Sequence, residues 1–490
     1  MFSARYFAVR GSRMNYIEYL ENSNSEMIEE LAKQVRIDSV KSEPVRTPEG
    51  ELYPFGKGVQ ESLTELLKLG ESMGFEVHNY DNYVGEIVFP GEPGEESFGI
   101  VGHLDVVPVA DDWKYGPFNP VIEDGFMYGR GTADDKGPVI AALFAMKAIK
   151  DAGITPKKTI KLIAGLDEET GKESAIHYRE VAKMPDFGIT PDADFPVING
   201  EKGILIFDIA QKLKKHTVKE GIVLSKVQGG LAANAVPAHA RAVIASDERA
   251  RYDDIIALAK SYSKESGYDV TAKKTGTSLA VEAHGASAHG SMPEKGLNAI
   301  SILMEFLGKL DLSGDEVTEF IDFYNEHIGF DLNGERLECQ FEDNQSGKVI
   351  VNVGTIDIND EVATMKMNIR VPVTYENSAV MKGIESVLGP NQGIVKGTDD
   401  KAIYVDPEDE FVKTLMEAYR DYSGDLDSEP VVIGGGTYAK HFDGVLAFGG
   451  LFPWEDDCMH MTDERISLDS YDKMAKIYAS TIYKLCCKQV

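Results

Sequence analysis

"GPVIAALFAMKAIKDAGITPKKTIKLIAGLDEETG", residues 137–171, holds two elements of different period and a run of acids. Almost every position from 137 to 152 is apolar, which predicts a helix buried all round, and Pro138 suits its first turn. "TIKLIAGL", 159–166, is an apolar run of strand length and predicts a central strand covered on both faces. A buried helix beside a buried strand is the repeating unit of an α/β sheet. Asp167, Glu168 and Glu169 follow the strand end. Open α/β sheets bind ligands beyond the carboxyl ends of their strands, so these acids mark a candidate site.

The same combination recurs on either side. "FGIVG" (98–102) is strand-like and runs into "GHLDVVP" (102–108), where His103 and Asp105 stand two residues apart. Residues i and i+2 of a strand point to one side, so an imidazole and a carboxylate are expected on a shared face. A metal-binding histidine with a carboxylate orienting its ring has this pattern, and so has a polar strand end with a salt link. "GRGTADDKG" (129–137) puts Asp134 and Asp135 at a glycine-bounded turn into the helix. "TPDADFP" (190–196) offers Asp192 and Asp194, and "EDDCMHMTDE" (455–464) carries His460. Helices are also predicted over 26–36, 58–73 and 172–183, a strand over 84–89, and a hairpin turning at Asp124-Gly125.

Near residue 204 the pattern shifts to half-exposed alternation, as in "ILIFDIAQ", "SLAVEAHG" and "ATMKMNIRVPV", with helices expected at 292–309 and 315–327. This is α+β character. The expected organisation is a catalytic domain of residues 14–203 and 385–490, interrupted by a domain of residues 204–384. Residues 1–13, "MFSARYFAVRGSR", are basic in an acidic protein and lack the apolar centre of a secretory signal. They read as a disordered upstream extension, with Met14 as the natural start.

Hydrophobic residues make up 43% of the 490, ordinary for a globular protein, and no run is apolar and long enough to span a membrane. Asp and Glu number 81 against 50 Lys and Arg, a formal net charge of −31. Phosphate repels such a surface, which argues against nucleic acid as a partner. The four cysteines, Cys339, Cys458, Cys486 and Cys487, fit neither a zinc ribbon nor a disulfide framework and suit a reducing cytoplasm.

Acids gathered at strand ends repel one another unless a cation lies among them. Two imidazoles and several carboxylates suit two divalent ions, zinc first, with manganese or cobalt as alternatives. One carboxylate would bridge them, and another must stay off the metal to move protons. The adjacent Glu168 and Glu169 supply one of each kind. Taken singly, each segment is a common surface pattern; the order and glycine context of all of them together is not.

The series "GHLDVVP", "YGRGTADDKG", "LDEETG", "PDADFPVINGEKG", "HGASAHGSMPEKGLNA", "NIRVP", "GGGTYAKHF" and "MHMTDE" is similar to the co-catalytic zinc peptidases related to aminoacylase, carboxypeptidase G and succinyl-diaminopimelate desuccinylase. Within them it most resembles the bacterial dipeptidase V branch (Xaa-His dipeptidase, carnosinase-like). The resemblance implies an α/β catalytic domain with a mixed sheet flanked by helices, interrupted by an inserted α+β lid. It implies that His103 and Asp192 bind one metal and that Glu169 and His460 bind the other. Asp134 would bridge through a cis peptide to Asp135, Glu168 would be the general base, and Asp105 would orient His103. Asp192 is preferred to Asp194 by motif position. From the lid, His289, in preference to His284, would polarise the scissile carbonyl, and Arg370 would grip the substrate α-carboxylate. Asn234, Gly435, Gly436 and Thr437 would line the substrate pocket. The implied activity is hydrolysis of unblocked dipeptides, including Xaa-His or β-alanyl dipeptides, by a cytoplasmic monomer whose only partner is the small peptide. The same metal site would equally serve an N-acyl-amino-acid deacylase or desuccinylase, and a non-catalytic peptide-binding relative would have lost a ligand or the base.

Overall fold

The computed structural model describes residues 15–214, 221–248 and 250–487. The reading of residues 1–13 as an extension falls outside them. The chain forms two compact units. The first takes the chain up to Asn199, Val405–Val431 and everything from Thr437; the second takes Gly200–Tyr404 and Val432–Gly436.

The first unit is built on a mixed sheet. Six neighbouring strands run in the order Glu76–Tyr80, Val84–Phe89, Thr159–Gly165, Ser97–His103, Phe187–Thr190, Val445–Ala447. The last four are mutually parallel, while the first two are antiparallel to their neighbours. Val84–Phe89 and Ser97–His103 are buried at every residue, which explains why they show no alternation. The all-round apolar segment is the helix Lys136–Asp151, buried without a break from Lys136 to Met146. Lys136 tolerates burial because its Nζ donates to the main-chain oxygens of Gln34 and Ile37, both at 2.9 Å, and so satisfies carbonyls at the end of helix Tyr16–Val35. Phe144 is fully buried on the central helix. Phe144→Ala is expected to cost about 3–5 kcal/mol, read as a lower denaturant midpoint.

The predicted hairpin pairs Val121–Glu123 with Phe126–Tyr128, and Asp124 (φ 52°) and Gly125 (φ 83°) turn it. Two positive φ angles give the turn whose twist matches the strands. Arg465–Ser467 adds a third strand, with Arg465 opposite Tyr128. This pairing ties the chain just after His460 to the chain just before Asp134.

The second unit is an antiparallel sheet of eight strands in the order Asp269–Thr275, Ser278–His284, His239–Ser246, Ile222–Gly229, Ile350–Ile358, Val362–Val371, Gly203–Lys212, Gln392–Asp400. Gly203–Lys212 alternates buried and half-buried residues almost throughout, as a sheet with one covered face requires. The covered face and the helices Ala250–Ser266, Ala299–Leu307, Asp315–His327 and Asn377–Val387 share one apolar core.

Two expectations about the second unit need correction. The second unit does not end near 384: Gln392–Asp400 pairs antiparallel with Gly203–Lys212, so the unit runs on to Tyr404. That strand is polar and largely exposed, and carries little pattern of its own. The helix expected over 292–309 is shorter. Pro293–Lys295 makes a single tight turn, and the helix proper starts at Ala299, where the Asn298 side chain accepts the Ile300 N–H at 2.9 Å. Among the described residues no helix is long and apolar enough to cross a membrane.

Candidate metal centre

Three parallel neighbours of the sheet deliver the acids and the imidazole to one edge. Ser97–His103 ends on His103, Thr159–Gly165 leads into Glu168 and Glu169, and Phe187–Thr190 stops two residues before Asp192. Carboxyl ends of adjacent parallel strands lie side by side, so these segments converge although up to 89 residues separate them in sequence.

The strand stops at His103, so the pleat does not place Asp105. The chain turns instead. His103 Nδ1 lies 3.0 Å from the main-chain oxygen of Asp105 and 3.4 Å from its carboxylate. A carbonyl oxygen only accepts, so Nδ1 carries a proton and donates it. The Asp105 carboxylate accepts the main-chain N–H groups of Glu168 (3.1 Å) and Glu169 (3.2 Å), and so fixes the turn bearing both glutamates.

His103 Nε2 lies 2.9 Å from Asp134 Oδ1 and 3.6 Å from Asp192 Oδ2. The other Asp134 oxygen lies 2.9 Å from His460 Nε2, which is also 3.1 Å from Glu169 Oε2. Asp134 thus stands between the two imidazoles with one oxygen toward each. The Asp134–Asp135 peptide is cis. Asp192, not Asp194, comes to His103; Asp194 lies on a two-residue strand paired with Gly450–Leu451. Two other acids of these segments are structural. Asp167 accepts the N–H groups of Glu173 and Ser174, both at 2.9 Å, at the start of helix Glu173–Val181, and Asp135 accepts that of His103 at 3.1 Å.

The electrostatics of the set call for positive charge. Burial opposes a charge on His103, yet Asp105, Asp134 and Asp192 raise its pKa well above the ordinary imidazole range. Burial likewise opposes ionisation of Asp134, but His103 and His460 hold it well below the usual carboxylate range. Asp192 is pushed well up by burial and then by the charges of Asp134 and Glu168. Glu168 is pushed up to about 7, by burial first; His103 opposes this, and Glu169, Asp134 and Asp105 add to it. Donor atoms of His103, Asp134 and Glu169, and of His103, Glu168 and Asp192, fall within 4.8 Å of one another. Mixed imidazole and carboxylate donors at that separation fit a first-row divalent cation such as zinc.

The remaining sequence candidates lie in the second unit, apart from Thr437. His289 Nδ1 accepts the N–H of Ser291 (3.2 Å) and lies 2.7 Å from its Oγ. An N–H aimed at Nδ1 requires a lone pair there, so the neutral ring carries its proton on Nε2. Burial, then the charge of Arg370, lowers the His289 pKa and keeps the ring neutral. Arg370, on Val362–Val371, is 4% exposed, and its Nε has no hydrogen-bond partner among the described residues. Burial lowers its pKa to about 10. A buried guanidinium with an unused N–H is suited to an anionic partner. Ala235 bridges His289, and Gly290 donates to the Asn234 oxygen at 2.7 Å, so Asn234 sits on the segment beside His289. Gly434, ahead of Gly435 and Gly436, packs closely on Ser291: a Cβ there would meet Ser291 Cβ at 3.2 Å. Thr437 falls in the first unit, where its Oγ1 accepts the Ala439 N–H at 3.2 Å and caps the short turn Tyr438–His441.

Residues 99–484 match peptidase family M20/M25/M40. The chain belongs to this family. "Putative dipeptidase YtjP" of Bacillus subtilis (strain 168) is 35% identical over 473 residues, covering 96% of this chain and 100% of its own. "Putative dipeptidase" of Staphylococcus epidermidis (strain ATCC 12228 / FDA PCI 1200) is 34% identical over 470 residues, covering 95% of this chain and 98% of its own. Among solved structures, the aminoacylhistidine dipeptidase of Vibrio alginolyticus shares the fold, with a TM-score of 0.56 at 16% identity over 96% of this chain and 99% of that one. M20 peptidases are metal-dependent, and the donor set of the first unit fits that chemistry.

Two residues of this M20 peptidase escaped the sequence reading. Glu464 Oε1 accepts the N–H groups of Gly131 (3.0 Å), Ala133 (2.9 Å) and Asp134 (3.3 Å), and Oε2 accepts Arg130 Nη1 at 2.6 Å. Arg130 Nη2 also reaches the His460 oxygen at 3.3 Å. Both side chains are buried. The pair therefore holds the loop of Asp134 and the backbone of His460 together. The available signal was an arginine between two glycines in one motif and a glutamate four residues after the histidine in another. His460 has φ 60° and Asp463 has φ 60°, a left-handed backbone that costs roughly 1–2 kcal/mol per residue and that this clamp helps to hold.

Proposed function

We propose that this M20 peptidase is a dipeptidase acting on unblocked dipeptides at two divalent ions, zinc in the cell. The observation that carries the reading is Asp134, with one carboxylate oxygen at each of two imidazoles, and Glu168 close to His103 and Asp192. His103 and Asp192 would hold one ion, His460 and Glu169 the other, and Asp134 would bridge. Bound divalent ions lower the pKa of water and polarise a carbonyl. The names of the Bacillus and Staphylococcus relatives support the substrate class.

Glu168 takes the proton of the attacking water on a carboxylate oxygen and returns it to the leaving amine nitrogen; its burial, which raises its pKa, favours the proton-carrying form that the second transfer needs. Asp105 keeps Glu168 in place through its main-chain N–H. His289 donates its Nε2 proton as a hydrogen bond to the carbonyl oxygen as charge builds there. Arg370 pairs with the terminal carboxylate of the dipeptide. Asn234, Gly435, Gly436 and Thr437 complete the substrate contacts. The resemblance to the dipeptidase V branch supports a monomer as the working form. Cys339, Cys458, Cys486 and Cys487 are all free, which supports a cytoplasmic location.

The test is to strip the enzyme with a chelator and restore zinc, manganese or cobalt separately. Each form then meets free dipeptides, β-alanyl-histidine, and N-acetyl and N-succinyl amino acids. Turnover is expected for the free-amine dipeptides alone, and highest with zinc. Turnover confined to N-acylated substrates would move the enzyme to deacylase chemistry. Arg370→Ala is expected to lower kcat/KM on free-acid dipeptides by roughly 30-fold or more, the kinetic equivalent of about 2 kcal/mol for a lost buried charge contact. Dipeptide amides should be nearly unaffected. An equal loss on both would remove the carboxylate from the role of Arg370.

A further inference from the structure

Three adjacent strands of the second unit carry a second group of donors, on the outer face of the sheet. His239 stands opposite His284 across one strand pair, and His284 stands opposite Asp269 across the next. Glu282 lies two residues before His284 and so shares its face. The intervening Ala240, Val270 and Ala283 are buried on the opposite face. The two imidazole rings lie 5.2 Å apart between centroids. One donor atom from each of His239, Glu282 and His284 falls within 4.8 Å of the other two. Around a tetrahedral zinc with bonds of about 2.1 Å, donors sit roughly 3.4 Å apart, so modest side-chain rotations close the set.

We propose that His239, Glu282 and His284 bind one first-row divalent transition ion, independently of the centre in the first unit. Asp269 is the positioning residue: its Oδ2 lies 3.3 Å from His284 Nδ1. A neutral His284 that gives its Nδ1 proton to this carboxylate keeps the Nε2 lone pair for the metal, the usual carboxylate–histidine–metal relay. Arg241 lies 3.5 Å from Glu282 through Oε1 and leaves the second carboxylate oxygen to act as ligand. The pairing of both strands sets the spacing of the donors before any ion arrives. Two imidazoles select zinc, copper or nickel over magnesium and calcium, which prefer all-oxygen sites. The ion would staple His239–Ser246 to Ser278–His284.

The experiment starts from zinc-loaded enzyme at constant turnover and titrates further zinc by calorimetry. One additional equivalent per chain is expected, with no comparable heat from magnesium. The double variant His239→Ala/His284→Ala should lose that equivalent and keep its circular dichroism and its turnover. Asp269→Asn, a mild change at an exposed site, should weaken the extra site by about 10- to 100-fold; it carries the test if the double variant misfolds. Uptake that is the same in wild type and both variants, or equal uptake of magnesium, would overturn the site. So would the absence of any zinc beyond that which restores turnover.

Discussion

Glu168→Ala will lower kcat by about 10²- to 10⁴-fold while metal content and KM change little. Glu168 and Glu169 are chemically identical neighbours on one turn, pinned by the same Asp105 carboxylate. Their surroundings separate them. Glu169 faces His460 at 3.1 Å and would share an ion with it, whereas Glu168 is pushed up to about 7, chiefly by burial, and would be the one to exchange a proton. Its oxygen nevertheless falls within ligand distance of His103 and Asp192, so its place off the metal is open to direct challenge. Measuring metal content beside kcat makes that challenge. Glu169→Ala is expected to lose an ion, and Glu168→Ala is expected to keep both. Metal loss from Glu168→Ala would make Glu168 a ligand instead of the base, and unchanged turnover would take it out of the reaction.

Glu464→Gln will destabilise the metal-loaded enzyme by about 3–5 kcal/mol, because it leaves the buried Arg130 guanidinium without its carboxylate. Burial and then the charge of Asp134 push Glu464 up to about 7, against the pull of Arg130. Yet its carboxylate contacts among the described residues are all with donors: Arg130 and three main-chain N–H groups. The geometry therefore uses the ionised form, and a glutamine would turn an amide donor toward Arg130 or toward the backbone. Released from the clamp, Asp134 and His460 lose their fixed separation, and metal affinity should fall by about 10- to 100-fold. Denaturant unfolding and competitive metal titration read the two effects. An unchanged midpoint together with an unchanged affinity would show that the pair is dispensable.

Much of the first unit was legible because its signals are local. The helix Lys136–Asp151 and the strand Thr159–Gly165 each announce themselves by an apolar run with no polar face. The hairpin at Asp124-Gly125 follows from turn chemistry alone. The second unit was harder where its strands are exposed. Gln392–Asp400 is held by register with Gly203–Lys212, about 190 residues earlier in the chain, and has no apolar period to report it. The site shows the same division. Asp134, Asp135 and Asp167 are equivalent on paper, and only their hydrogen bonds separate the carboxylate between two imidazoles from the two that brace main chain.

The sequence by itself determined the α/β and α+β character of the two parts, and which segments carry imidazoles and carboxylates at strand ends. Periodicity and glycine context are properties of a few residues at a time. Tertiary structure alone decided which donors meet. The Glu464–Arg130 clamp joins residues 334 apart, and the His239, Glu282 and His284 group exists only in the register of adjacent strands. A one-residue slip of that register would send every side chain of a strand to the other face, and nothing local in the chain records which register is chosen.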